Sequence, residues 1–265
     1  MFPGRDPRRT TSPRKFRRGL VLLPSIITVG NLFCGYASIV HAMRGDYVGA
    51  APYIGFAIVL DMLDGRIARM TGTTSAFGLE LDSLADMVSF GLAPAVLVFG
   101  WGMSGLGKFG WAAGFVYVAA TAMRLARFNI QSPGQADKRY FLGMPSPPAA
   151  GVPASTVFLL ADPHNGLPAM FSSPVFRGWI SAVVMILPAL LMVSTIRFRS
   201  FKTIDLGWQR SYVGVLLFIL LVAFITTEPA TTLVILAYGY LLSALVGLVL
   251  TRLKGRTPPR IGAES

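Results

Sequence analysis

The sequence predicts an all-α, polytopic membrane bundle of about eight transmembrane helices, and three observations lead there. Charged residues make up only 14% of the 265 residues, against 53% hydrophobic ones, whereas soluble domains carry about 25% charged residues. Mean hydropathy is +0.59. Apolar runs recur from Leu20 to Leu250, each approaching the roughly 20 residues that cross about 30 Å of hydrocarbon.

Taken in order, the chain opens with seven Lys/Arg among Pro and Ser in residues 1–19. This composition reads as a disordered cytoplasmic tail that meets acidic headgroups. A signal peptide is not expected, because the next apolar segment is too long and no small-residue cleavage pattern comes after it. The transmembrane domain runs over 20–253, with spans at 20–43, 47–70, 77–100, 109–131, 146–162, 175–196, 211–227 and 230–251. A short cytoplasmic tail, 254–265, closes the chain. The fifth span is short and proline-rich; Pro145, Pro147, Pro148 and Pro153 predict a broken or re-entrant helix there.

The net charge of +12 would suggest nucleic acid on a soluble protein, but the basic residues cluster between the apolar runs. That pattern excludes nucleic acid and indicates topology and anionic membrane lipid instead. With the N-terminus inside, Arg5 to Arg18, then Arg124, Arg127, Lys138 and Arg139, then Arg197 to Arg210, then Arg252 to Arg260 all face the cytoplasm. Arg44, Lys108 and Arg177 face the other side. The asymmetry predicts a multi-pass protein of the cytoplasmic (inner) membrane with both termini inside. Cys34 is the single cysteine and forms no internal disulfide.

Four aspartates interrupt the apolar pattern in the stretch Asp61–Asp86, DMLDGRIARMTGTTSAFGLELDSLAD. A carboxylate at a helix centre costs about 2.5–3.5 kcal/mol on insertion scales, so four together need a purpose. Thr71 to Ser75 are rich in Gly, Thr and Ser and predict a cytoplasmic turn. Counting outward from Thr73, Asp64 and Asp82 each lie about 13 Å along their helices, and Asp61 and Asp86 about 18–20 Å. Asp61 and Asp64 share a helix face at i,i+3, as do Asp82 and Asp86 at i,i+4.

Carboxylates converging in this way repel one another unless cations bind. Hard divalent ions, Mg2+ or Mn2+, take oxygen ligands and bridge carboxylates to phosphates. Two such ions clamp a pyrophosphate and neutralise developing charge. Gly65, Ala68 and Gly78 leave room for a phosphate or sugar beside the helices, Arg69 offers a planar fork for a phosphate oxygen, and Ser75 is a candidate hydroxyl ligand. A cation-coupled transporter is the rival reading, since intramembrane acids also mark ion pathways.

The pattern Asp61-x2-Asp64-Gly65-x2-Ala68-Arg69-x8-Gly78-x3-Asp82-x3-Asp86 resembles the signature of the CDP-alcohol phosphotransferases at every fixed position. The resemblance implies a six-helix core and two metal ions held by Asp61, Asp64 and Asp82. It further implies that Asp86 helps to bind metal and deprotonates the acceptor alcohol, and that Gly65, Arg69 and Ser75 hold a CDP-lipid. A homodimer is implied by the same resemblance.

Three further stretches are similar to phosphatidylserine synthases within that family: Leu23 to Gly35, Arg124 to Asn129 and Phe141 to Ala150. The first carries Thr28 and Asn31 on one helix face, as candidate CDP-lipid contacts, with Ser25 where Asn is more usual. The second suggests a serine site, in which Arg124 or Arg127 takes the carboxylate and Asn129 the ammonium or hydroxyl. The expected reaction joins CDP-diacylglycerol and L-serine into phosphatidylserine and CMP. The alternative acceptors are glycerol phosphate or inositol phosphate, which would want a denser basic pocket.

Overall fold

A computed structural model describes residues 14–71, 75–130, 140–165, 168, 171, 173–194, 197–199 and 212–253. Among these, eight helical segments stand where the eight apolar runs predict them. They are α1 (Arg14–Met43), α2 (Tyr47–Thr71), a composite third segment, α5 (Lys108–Ile130), α6 (Ser146–Ala161), α7 (Pro174–Val193), α8 (Tyr212–Thr227) and α9 (Pro229–Leu253). The third segment begins as α3 (Ala76–Asp86), widens into a π-helical stretch over Met87–Leu92 and continues as α4 (Ala93–Trp101). The two tails, 1–13 and 254–265, and the centre of the predicted turn, 72–74, lie outside the described residues.

Five described segments are long and apolar enough to cross a membrane: Pro24–Met43, Tyr47–Ala68, Ala76–Trp101, Lys108–Ile130 and Pro174–Val193. The protein is a multi-pass helical membrane bundle. Large apolar side chains such as Phe33, Met62, Trp111 and Leu190 face outward, while the interior is lined by alanines, among them Ala50, Ala57, Ala93, Ala120, Ala149 and Ala150. Small side chains let helices approach closely where lipid offers no competing hydrophobic drive.

α1 and α2 form the most extensive helix pair. The connection between them turns at Gly45, whose φ of 78° suits a residue without a Cβ. Asp46 then caps α2 by accepting from the Gly49 N–H at 2.9 Å.

The expected break in the fifth span is not there. α6 is one continuous helix of 16 residues, enclosed by α2, α4, α7 and α9. Pro145 is its N-cap and Pro147 and Pro148 occupy its first turn, where an N–H would have no helical acceptor in any case. Only Pro153 falls inside the helix, and the helix runs on past it without a break. At roughly 24 Å by its rise per residue, α6 falls short of the full hydrocarbon thickness.

Among the described residues, one small antiparallel ladder stands beside the helices. Strands of three residues, β1 (Tyr140–Leu142) and β2 (Arg197–Arg199), pair and tie the segment before α6 to the segment after α7. Gly143 comes directly after β1 with φ 81°, and a Cβ there would run into the Met192 carbonyl. The adjacent Met144 N–H donates to Leu191 O at 2.9 Å, which fixes the entry into α6.

Candidate active site

α1 is the wall on which both acid-bearing helices rest, since α2 and α3 each pack against it. Asp61 and Asp64 project from α2, and Asp82 and Asp86 from α3. One carboxylate oxygen each from Asp61, Asp64 and Asp82 lies within 4.8 Å of the others. The three acids come from both helices, two from α2 and one from α3, and Asp86 stands four residues beyond Asp82 on α3.

Two polar side chains of α1 reach these acids. The Thr28 hydroxyl, 3.0 Å from both Pro24 O and Asp64 Oδ2, shares its proton between them. Asn31 Nδ2 donates to Asp86 Oδ1 at 3.3 Å. Thr28 and Asn31, expected at the CDP-lipid, therefore orient two of the carboxylates. Asp64 is 4% and Asp86 8% exposed, whereas Asp61 and Asp82 are half-buried.

The cluster suits a hard cation on its own chemistry. Its donors are all oxygen, and Asp82 Oδ1 is buried without a hydrogen-bond partner. Two unit charges 4 Å apart repel by about 4 kcal/mol at an effective dielectric of 20, so three carboxylates at this spacing call for a counter-charge.

Among the residues expected at the acceptor, Arg124 alone is brought beside the acids. Its Nη1 donates to Ser146 Oγ at 2.7 Å, joining α5 to the start of α6. Asp86, Asp61 and Tyr240 of α9 are the groups whose charge acts on it. Arg127 is exposed. Asn129 is also exposed, and its Nδ2 donates to Ser83 Oγ at 2.9 Å, which ties the end of α5 to α3 between Asp82 and Asp86.

Gly65, Ala68 and Gly78 are half-buried on α2 and α3. Ser75 is exposed and caps α3, its Oγ accepting from the Gly78 N–H at 3.0 Å. The side chain of Arg69 lies outside the described residues. Sequence reasoning missed Ser146, Ser83 and Tyr240. Ser146 lay inside a stretch already singled out, whereas Tyr240, far along the chain, carried no signal at all.

The structure is thus a helical membrane bundle in which acidic side chains of two helices gather into a candidate cation site. The sequence profile of the CDP-alcohol phosphatidyltransferases matches residues 21–193, from α1 to the end of α7. The chain belongs to that family, and is thus a membrane transferase of phospholipid biosynthesis. A CDP-diacylglycerol–serine O-phosphatidyltransferase of Helicobacter pylori strain J99 is 38% identical over 204 residues, which cover 77% of this chain and 82% of the relative. Proteins of the same name from Mycobacterium leprae and Methanocaldococcus jannaschii are 32% and 31% identical. The first match covers 88% of this chain and 76% of the relative, the second 69% and 77%.

Proposed function

We propose that the protein transfers the phosphatidyl group of CDP-diacylglycerol to the hydroxyl of L-serine, giving phosphatidylserine and CMP. The convergence of Asp61, Asp64 and Asp82 within 4.8 Å carries the reaction type. The choice of serine is supported by the 38% identical relative named for that acceptor.

Asp61, Asp64 and Asp82 would hold two divalent cations, Mg2+ or Mn2+, with Asp86 completing the second site. Bound there, the ions would neutralise the diphosphate and the charge that develops on the departing CMP. Asp86, oriented by Asn31, takes the proton of the serine hydroxyl. The serine oxygen bonds to the phosphorus that carries diacylglycerol, and the bond from that phosphorus to the bridging oxygen breaks, releasing CMP. Arg124, held by Ser146, receives the serine carboxylate, with Asn129 at the mouth for the ammonium group and Arg127 as a second cation near it. Gly65, Ala68 and Gly78 give the nucleotide access to the helix backbones beside Arg69 and Ser75. The distribution of Lys and Arg supports a site near the cytoplasmic face of the cell membrane, with both termini on that side, and the family resemblance supports a homodimer.

The test is CMP release by purified protein from labelled CDP-diacylglycerol, with Mg2+ or Mn2+ and a panel of alcohols. Release with serine is the expected result. Release with glycerol phosphate or inositol phosphate alone would replace the acceptor, and no release with any alcohol would favour a cation-coupled transporter.

A further inference from the structure

The π-helical stretch Met87–Leu92 begins one residue after Asp86, and its cause is legible in the residues around it. Pro94 stands four residues after Phe90. In an α-helical register the Phe90 carbonyl would look to the N–H of residue 94, which proline lacks, and the proline ring would press on that carbonyl. The helix widens instead, with the Ala93 N–H donating to Val88 O. The hydroxyl of Tyr117, on α5, donates to Phe90 O at 3.0 Å, and both residues are fully buried.

The other side of the wide turn is fixed to α1. Ser89 Oγ donates to the Asn31 carbonyl at 2.9 Å. Gly35 lies so close that a Cβ on it would stand 2.7 Å from Ser89 Cα. Asn31 thus accepts from the wide turn through its backbone and donates to Asp86 through its side chain.

An extra residue in one helical turn rotates the helix before it by about 100° relative to the helix after it. α4 is fixed by its buried packing, so the width of this turn decides which way α3 presents Asp82 and Asp86. We infer that Tyr117 and Ser89 are positioning residues that hold the π-turn open and so aim Asp82 and Asp86 at Asp61 and Asp64. The inference rests on the reading of these four carboxylates as a metal centre.

The test is Mn2+ affinity of metal-stripped, detergent-purified protein, measured by electron paramagnetic resonance, alongside serine-dependent CMP release. Tyr117→Phe and Ser89→Ala are each expected to weaken Mn2+ binding about tenfold, the scale of lost outer-shell support, and to lower kcat in parallel with KM for serine unchanged. Pro94→Ala supplies the missing N–H and lets the turn close to α-helical register. It is expected to keep thermal stability while weakening Mn2+ binding, a combination that a merely structural role for the turn would not produce. Wild-type Mn2+ affinity in all three variants would overturn this inference and leave the metal centre standing. Failure of the wild-type protein to bind Mn2+ would overturn the metal centre itself and this inference with it.

Discussion

Asp61 and Asp64 ride on α2, an uninterrupted helix of 25 residues that packs along α1. Asp82 and Asp86 ride on α3, a helix of 11 residues whose first turns are exposed. The first pair is placed by helix periodicity and by one long interface, with the Thr28 hydroxyl on Asp64 as a local addition. The second pair is placed from outside, through Asn31, Ser89 and Tyr117 at the wide turn beyond it. Acids on a long packed helix need little further support, whereas acids on a short exposed one depend on the contacts that grip its far end.

Loss of a carboxylate itself is the largest effect expected, on either helix. Asp86→Asn should lower turnover by about 10²–10⁴-fold, the range of a missing acid–base group, and Asp64→Asn, which removes a proposed metal ligand, by about 10²-fold or more, both read as CMP release. Asp86→Asn should in addition keep its binding of CDP-diacylglycerol, and normal turnover in that variant would remove Asp86 from the proton-transfer role.

The α1 partners separate the two regions more sharply. Asn31→Ala removes the amide that orients Asp86 while keeping the backbone carbonyl that accepts from Ser89, and should reduce kcat by about 10–100-fold, whereas Thr28→Val should cost less than about tenfold. Equal losses in the two variants would sink the distinction between a self-supporting and an externally held pair.

Next come two glycines on the same face-forming helix. Gly35→Ala drives a methyl into the Ser89 backbone at 2.7 Å and should destabilise by about 1–3 kcal/mol in thermal unfolding. Gly30→Ala meets only Leu60 Cδ1 at 3.5 Å and should unfold no earlier than the unaltered protein. Comparable destabilisation at both positions would show that the close approach to the wide turn is not special.

The smallest effect is expected at the other end of α2. Asp46 accepts from His41 at 2.7 Å and from the Gly49 N–H, and the His41 hydrogen bond, then the Gly49 bond, hold its carboxyl below the usual carboxylate range. A lowered folded-state value gives stability that is present above the unfolded carboxylate value and is lost as pH falls through the folded one. Asp46→Ala should therefore cost about 1 kcal/mol or less at neutral pH, as for a lost helix cap. It should flatten the acid limb of the stability profile and leave CMP release unchanged. An unaltered acid limb would show that the cap contributes nothing there.

Much of this was legible in the residues alone. Apolar run lengths located the eight helical segments, because a helix in lipid must satisfy its backbone within itself and so needs a full-length apolar stretch. The spacing of the aspartates on either side of one turn brought out the cluster, because two helices joined by a short turn carry their acids back toward one another, and Asp61, Asp64 and Asp82 do gather within 4.8 Å. Proline content misled at α6, a continuous helix that composition would break, because three of its four prolines fall at the cap and in the first turn. The signal for the wide turn was present as Pro94, inside the predicted span 77–100, but a proline within a span tells only that the helix must adjust there, not whether it kinks or widens.

By itself, then, the sequence determined the helical membrane fold, the acidic stretch and the family, each of which depends on residue type and on spacing within one or two helices. Only the tertiary structure decided that Thr28 and Asn31 turn to carboxylates, that Arg124 lies on Ser146, and that Tyr117 holds the turn behind Asp86. Those pairs are separated by 22 to 55 residues along the chain. Their meeting depends on how helices rotate and lean against one another, which local periodicity does not encode.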